Sequence, residues 1–287
     1  MLFASEKMVV VVVALVVRGA CVSPVTRRQV LLTSSSSLVV GQSAVASSEK
    51  KSLLVRRSEL AVRDLRKPEF GVEYADICYP AIFEGSWSAV STAVDLSAPV
   101  GVPLFGGEKA FEAAKDELGE ALSYDVRFFR RSDAIVADRP LNTRNLVAAT
   151  LGDRGKVTSL PSSQNFNAND LKFNIDLGTA SYAASLRTVA RYFDGRENDD
   201  KAFFQTSELV RQAITTNNNM LALPSIKDIE TICLYDRIDQ NTITCDQRTA
   251  TWLFPSDQAL AVQVAAAAGR PIDVRRYRVV YHRKPPR

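Results

Sequence analysis

From Tyr79 onward the chain alternates apolar and polar side chains with a period of two, and its apolar positions are rich in β-branched and aromatic residues. That period turns one face of each run toward a core and the other toward solvent, as in a β-strand. Ten strands are expected: Trp87–Leu96, Tyr124–Arg130, Ala134–Asp138, Gly155–Leu160, Leu171–Leu177, Ala184–Phe193, Phe203–Ile214, Ile226–Arg237, Thr242–Phe254 and Val274–Arg283. Turn signals at Asp194-Gly195, Asn217-Asn218-Asn219 and Asp239-Gln240-Asn241 separate several of them. Two helices are expected, Asn142–Leu151 and Ser256–Ala268, the second with Ser256 as N-cap and Gly269 and Pro271 as stops. Helices do not alternate regularly with the strands, which argues against a parallel sheet. Many sequential strands with tight connections point to an antiparallel barrel or sandwich, and barrel closure removes exposed edges. Strands of this length suit a barrel deep enough for one small ligand.

Two export signals in series precede this domain. Lys7 is followed by the apolar run Met8–Val17, too short to cross a bilayer, which takes about 20 residues. It reads as a secretory signal with a cleavage site near Gly19-Ala20. The second signal is Arg27-Arg28, then an uncharged, serine-diluted stretch, then Ala44-Val45-Ala46. This is a twin-arginine pattern with cleavage expected after Ala46. A signal peptide ahead of a plastid-type signal resembles the presequences of algae whose plastid lies inside the secretory membrane system. The expected address is therefore the thylakoid lumen of a plastid, with a bacterial periplasm or another exported compartment as the alternative. The expected division is a presequence over 1–46, a charged and partly helical leader over 47–76, and a β-barrel domain over 77–287.

The full chain carries 36 Lys+Arg against 32 Asp+Glu. Removing residues 1–46 takes away Lys7, Arg18, Arg27, Arg28 and Glu6 and leaves 32 against 31. So nearly neutral a chain has no broad electrostatic case for binding nucleic acid or an anionic membrane. No run after residue 48 approaches membrane-spanning length, so no transmembrane segment is expected in the mature chain. The leader sets Leu53, Leu54, Leu60, Val62 and Leu65 among Lys51, Arg56, Arg57, Arg63, Arg66 and Lys67. It reads as a solvated segment, with a basic helix touching a membrane surface or a partner as the alternative.

Glu84-Gly85-Ser86-Trp87 opens the first long strand. It resembles the Gly-x-Trp signature of lipocalin-like (calycin-like) barrels. That resemblance implies a barrel of about eight to ten strands with one or two short helices. It also implies that Trp87 plugs the closed end, with an arginine of the last strand across its ring. Arg275, Arg276 and Arg278 are the candidates there, and Arg278 is the expected partner. A wider resemblance runs from about Cys78 to Tyr281 through Tyr79-Pro80, Ala98-Pro99-Val100-Gly101, Ala137-Asp138-Arg139 with Asn142, and Arg275-Arg276-Tyr277-Arg278. These segments look like an uncharacterised domain family of cyanobacterial and plastid proteins, of unknown function. It implies thylakoid-lumen targeting and no catalytic residues.

Pro99 to Gly107 holds three glycines and two prolines around Leu104 and Phe105, a candidate apolar lid over the barrel mouth or a connecting loop tucked on the sheet. The phosphate-cradling glycine spacings are missing. Cys233 and Cys245 fall on neighbouring strands, so a disulfide between them is one reading and buried thiols the other. His282 is the only histidine, and no Cys-x-x-Cys occurs, so neither a metal site, a cofactor nor a nucleophilic triad is expected. Asp138-Arg139 reads as an exposed or rim salt pair. Three functions are consistent with this reading. The first is a non-enzymatic lumenal barrel binding a small apolar ligand such as a lipid, pigment or quinone-like compound. The second is an assembly or interaction factor for a photosynthetic complex, its barrel filled with side chains. The third is a hydrolase or isomerase with a carboxylate site in the barrel cup.

Overall fold

The computed structural model describes residues 53–68, 71–72, 75–178, 180–198, 201–217, 224–255 and 258–285. The targeting residues Arg27, Arg28, Ala44 and Ala46 and the expected N-cap Ser256 lie outside them. Ten antiparallel strands form one sheet, curled into a half-barrel that is consistent with a lipocalin-like barrel. They are β2 (Gly85–Ser97), β3 (Ala121–Arg131), β4 (Ala134–Ala137), β5 (Lys156–Thr158), β6 (Asp170–Asp176), β7 (Ser181–Asn198), β8 (Lys201–Thr216), β9 (Ser225–Arg237), β10 (Thr242–Leu253) and β11 (Asp273–Arg283). A short β1 (Gly71–Val72) pairs in parallel with β7. The spatial order is β4-β3-β2-β11-β10-β9-β8-β7-β6-β5, so the last strand lies beside β2 and the two edges are β4 and β5.

A single helix connects those two edges. Helix α4 spans Arg139–Leu151, between β4 and β5, and is preceded in the chain by α1 (Leu53–Glu59), α2 (Val102–Phe105) and α3 (Glu108–Asp116) and followed by α5 (Gln258–Ala267). It starts three residues before the sequence expectation, because Asp138 caps it by accepting a 3.2 Å bond from the Leu141 amide and Pro140 fits its first turn. Leu146, Val147 and Leu151 point into the curl and pack with Leu171, Phe173, Ile175, Leu186 and Val210. The helix contacts both β3 and β5, so it fills the gap that strand pairing would close in a complete barrel. The outer edge of β4 is partly covered by Tyr79, whose amide donates to Ile135 O at 2.8 Å.

The leader is docked, contrary to the expectation of a solvated segment. Leu65 is fully buried against Leu209, Ala250, Trp252 and Val274 on the outer face of the sheet. Arg57 forks onto the buried Glu230 carboxylate at 2.7 and 2.8 Å, and Lys67 reaches buried Asp228 at 3.0 Å. Arg248 donates to the carbonyls of Ser58 and Leu60, and Arg276 to Ser58 O at 2.7 Å. These are the carbonyls that a helix C-terminus leaves unsatisfied. The sheet therefore supplies the C-cap of α1. After β1 the chain passes to the inside, where Asp76, Ile77 and Tyr79 are buried.

Candidate functional site

The interior has two chemically distinct ends. At the start of β2, Trp87 is fully buried and its indole N–H donates to Phe83 O at 2.8 Å. The arginine over its ring is Arg283, with its guanidinium carbon 4.3 Å from the ring centroid. Arg278, the expected partner, faces solvent on the other side of β11, 3.7 Å from the exposed Asp246. The register explains the correction: Arg283 lies opposite Trp87, whereas Arg278 lies opposite Thr92. Arg283 also donates to Glu84 O at 2.6 Å and to Ile82 O. Gly85 is required here, because its φ is +125° and a Cβ would lie 3.1 Å from Arg283 Nη1. Tyr79, Phe83, Phe128, Phe204, Tyr235 and Tyr281 fill the rest of this end, in tilted, edge-to-face and stacked contacts at centroid distances of 4.7–6.4 Å.

Beyond the aromatic end the inner face turns polar. Directly opposed residues form a belt across five strands: Arg191 on β7, Glu208 on β8, Thr231 on β9, Thr249 on β10 and Arg275 on β11. Every member is buried. At one end of the belt Arg191 Nε donates to Glu208 Oε1 at 2.6 Å, and Arg139 Nη2, from the first residue of α4, donates to the same oxygen at 2.8 Å. Arg139 Nη2 also reaches Asp76 Oδ1 at 3.1 Å, and Arg191 Nη2 lies 4.0 Å from it. Two guanidiniums and two carboxylates thus share one buried cluster. Asp138 and Arg139 are not the exposed salt pair expected, for Asp138 turns to Arg127 at 2.9 Å while Arg139 turns inward.

Three buried atoms of this cluster have no hydrogen-bond partner among the described residues, Asp76 Oδ2, Glu208 Oε2 and Arg139 Nε; the same holds for Thr143 Oγ1 and, about 13 Å along β8 from Glu208, for Gln212 Oε1. Thr143 lies one turn after Arg139 on α4, and Gln212 lies on the same face of β8 as Glu208. Burial raises the Asp76 carboxyl to about 6, against the pull of Arg139 and Arg191. Burial acts on Glu208 in the same direction, but the same two guanidiniums outweigh it and hold this carboxyl below its ordinary value. At the far end of the belt Tyr277 is pushed up to about 12 by burial, and Arg275 is held between Asp273 at 3.1 Å and Glu117 at 3.2 Å.

Asp76 gives a pH-dependent contribution whose sign follows from its shift. Folded, it keeps its proton up to about pH 6; its ordinary value is 3.8. Between those values the folded chain binds more protons than the unfolded one, so this contribution is greatest below pH 3.8 and is lost as pH rises through 6. Asp76→Asn removes it. Urea unfolding at about pH 4.5 and about pH 7.5 should show wild type gaining about 2 kcal/mol over the variant at the lower pH. Equal differences at both values would show that Asp76 does not titrate in this range.

The expected lid residues, Leu104 and Phe105, lie in α2 within a two-helix connection between β2 and β3. Phe105 stacks edge-on to Phe111 at 5.3 Å, with the Arg275 guanidinium 5.6 Å from its ring. It sits by the end of β2 remote from Trp87, roughly 33 Å further along the strand. Cys233 and Cys245 are buried thiols, not a disulfide. Cys233 lies opposite Gln247 and Cys245 opposite Tyr235, so the two share the inner face but are offset along it. The Cys233 thiol instead lies 3.7 Å from Gln247 Oε1. No helix among the described residues is long and apolar enough to cross a membrane.

A family described as Domain of unknown function (DUF6816) matches residues 71–285. No curated protein and no solved structure matches the chain.

Proposed function

We propose that this chain, which belongs to the DUF6816 family, is a non-enzymatic binding protein that holds one small molecule inside its half-barrel. The observation that carries the reading is the buried charged cluster on the inner face. It leaves buried polar atoms of Asp76, Arg139 and Glu208, and of Thr143 one turn along α4, without hydrogen-bond partners among the described residues. Buried polar groups are ordinarily hydrogen-bonded, so such a set fits a site completed by a guest. The ligand is then amphipathic, with a polar group at the cluster and apolar parts toward the side chains around α4. The two export signals of the sequence support a thylakoid lumen, or a comparable exported compartment, as the place of this work.

A hydrolase or isomerase is the second reading, favoured by the meeting of Asp76 and Glu208 at Arg139 with Asp76 pushed up to about 6. It ranks lower because Glu208, held below its ordinary value by two guanidiniums, is a weak base. Native mass spectrometry of the protein purified from its own organism without detergent tests the binding reading. A chain starting near Ser47 with added small-molecule mass supports it. A bare chain, or one carrying only another subunit, overturns it and favours an assembly factor.

A further inference from the structure

The unsatisfied atoms at the cluster have a definite hydrogen-bonding sense. Asp76 Oδ2 and Glu208 Oε2 are acceptors, Thr143 Oγ1, one turn along α4, can act either way, and Arg139 Nε is a donor. The formal charges cancel, two guanidiniums against two carboxylates. Arg139 Nη2 is engaged with Asp76 and Glu208, Arg191 Nε with Glu208, and the Arg191 Nη1 and Nη2 with Ala75 O and Thr188 Oγ1. An anionic group would meet the open carboxylate oxygens of Asp76 and Glu208 in a cluster whose formal charge is already balanced. An ammonium group would satisfy the acceptors but leave a net charge in a buried site. Neighbouring hydroxyls on an uncharged ligand donate to the acceptors and accept from Arg139 Nε at once.

Resting on the small-molecule reading above, we infer that the Asp76–Arg139–Arg191–Glu208 cluster, with Thr143, receives the hydroxyl groups of a sugar or polyol. A free sugar and the sugar head of a lipid present the same chemistry. Four probes separate the cases by calorimetry on the purified protein: octyl glucoside, octyl phosphate and octanol, each below its aggregation limit, and free glucose. Octyl glucoside is expected to bind roughly tenfold or more tighter than octyl phosphate and octanol. Glucose binding as tightly as octyl glucoside assigns the site to free sugars; weaker glucose binding assigns it to a sugar-headed lipid. Thr143→Val, or Thr143→Ala as a second variant, should remove most of the glucoside preference and leave octanol binding unchanged.

Octyl phosphate binding as tightly as the glucoside overturns the inference, as does a glucoside preference that survives both Thr143 variants. Octanol and octyl glucoside binding equally would end the hydroxyl inference while leaving small-molecule binding intact. Binding of none of the four would overturn both.

Discussion

Trp87→Ala is expected to destabilise the fold by about 3–5 kcal/mol, the range for removing a large ring from a packed core. For a domain of this size that lowers the thermal midpoint by roughly 10 °C. The ring is fully buried, it gives a hydrogen bond to Phe83 O, and Arg283 lies over its face. Trp87→Phe keeps most of the burial, so it should cost less, chiefly the bond to Phe83 O and part of the cation–π attraction. The two candidate arginines separate cleanly. Arg283→Met removes the cation over the ring and two bonds to the carbonyls of Ile82 and Glu84. Arg278→Met removes only an exposed pair with Asp246, worth about 0–1 kcal/mol. Thermal unfolding of both variants decides the matter. Greater loss from Arg278→Met would refute the assignment of Arg283.

The sequence pattern located all ten antiparallel strands, the longer ones from their period of two and the four-residue β4 and three-residue β5 from short β-branched runs between turns. It did not locate the belt, and the reason is physical. On β7 the register slips between Thr188 and Ala190, which leaves Val189 as an extra residue. Leu186 and Arg191, five apart, therefore both face inward, although strict alternation puts them on opposite faces. A similar slip between β11 and β2 leaves Val94 extra. Glu208 carried a usable signal, since it has the same parity as Phe204 and Val210 on β8, but its partners Asp76 and Arg139 come from outside the pattern. The lipocalin-type signature was legible in Gly85 and Trp87. Its arginine was not, because the choice among the arginines of the last strand rests on the register with β2. The leader misled for another reason: the side chains that dock it, Asp228, Glu230 and Arg248, lie far along the chain on the outer face of the sheet.

Glu208→Gln should carry the second large effect. It removes one of two carboxylates that balance Arg139 and Arg191 in a fully buried cluster, and breaking such a cluster costs about 3–5 kcal/mol. The loss comes from charge left without compensation, so it should shrink when the charge is removed in pairs. Arg191→Met combined with Glu208→Leu leaves the Arg139–Asp76 pair in place and is expected to recover most of the stability. Urea unfolding of the two single variants and the double variant measures that coupling directly. Additive losses would show that Arg191 and Glu208 do not act as a pair. Because the Glu208 charge helps to raise Asp76, the pH dependence from Asp76 should also move to lower pH in Glu208→Gln. The double variant then separates folding from function. An apolar pair would satisfy the fold, so a chain that regains stability but no longer prefers octyl glucoside would show that the buried charges serve the ligand. A double variant that keeps both would assign them to the sheet alone.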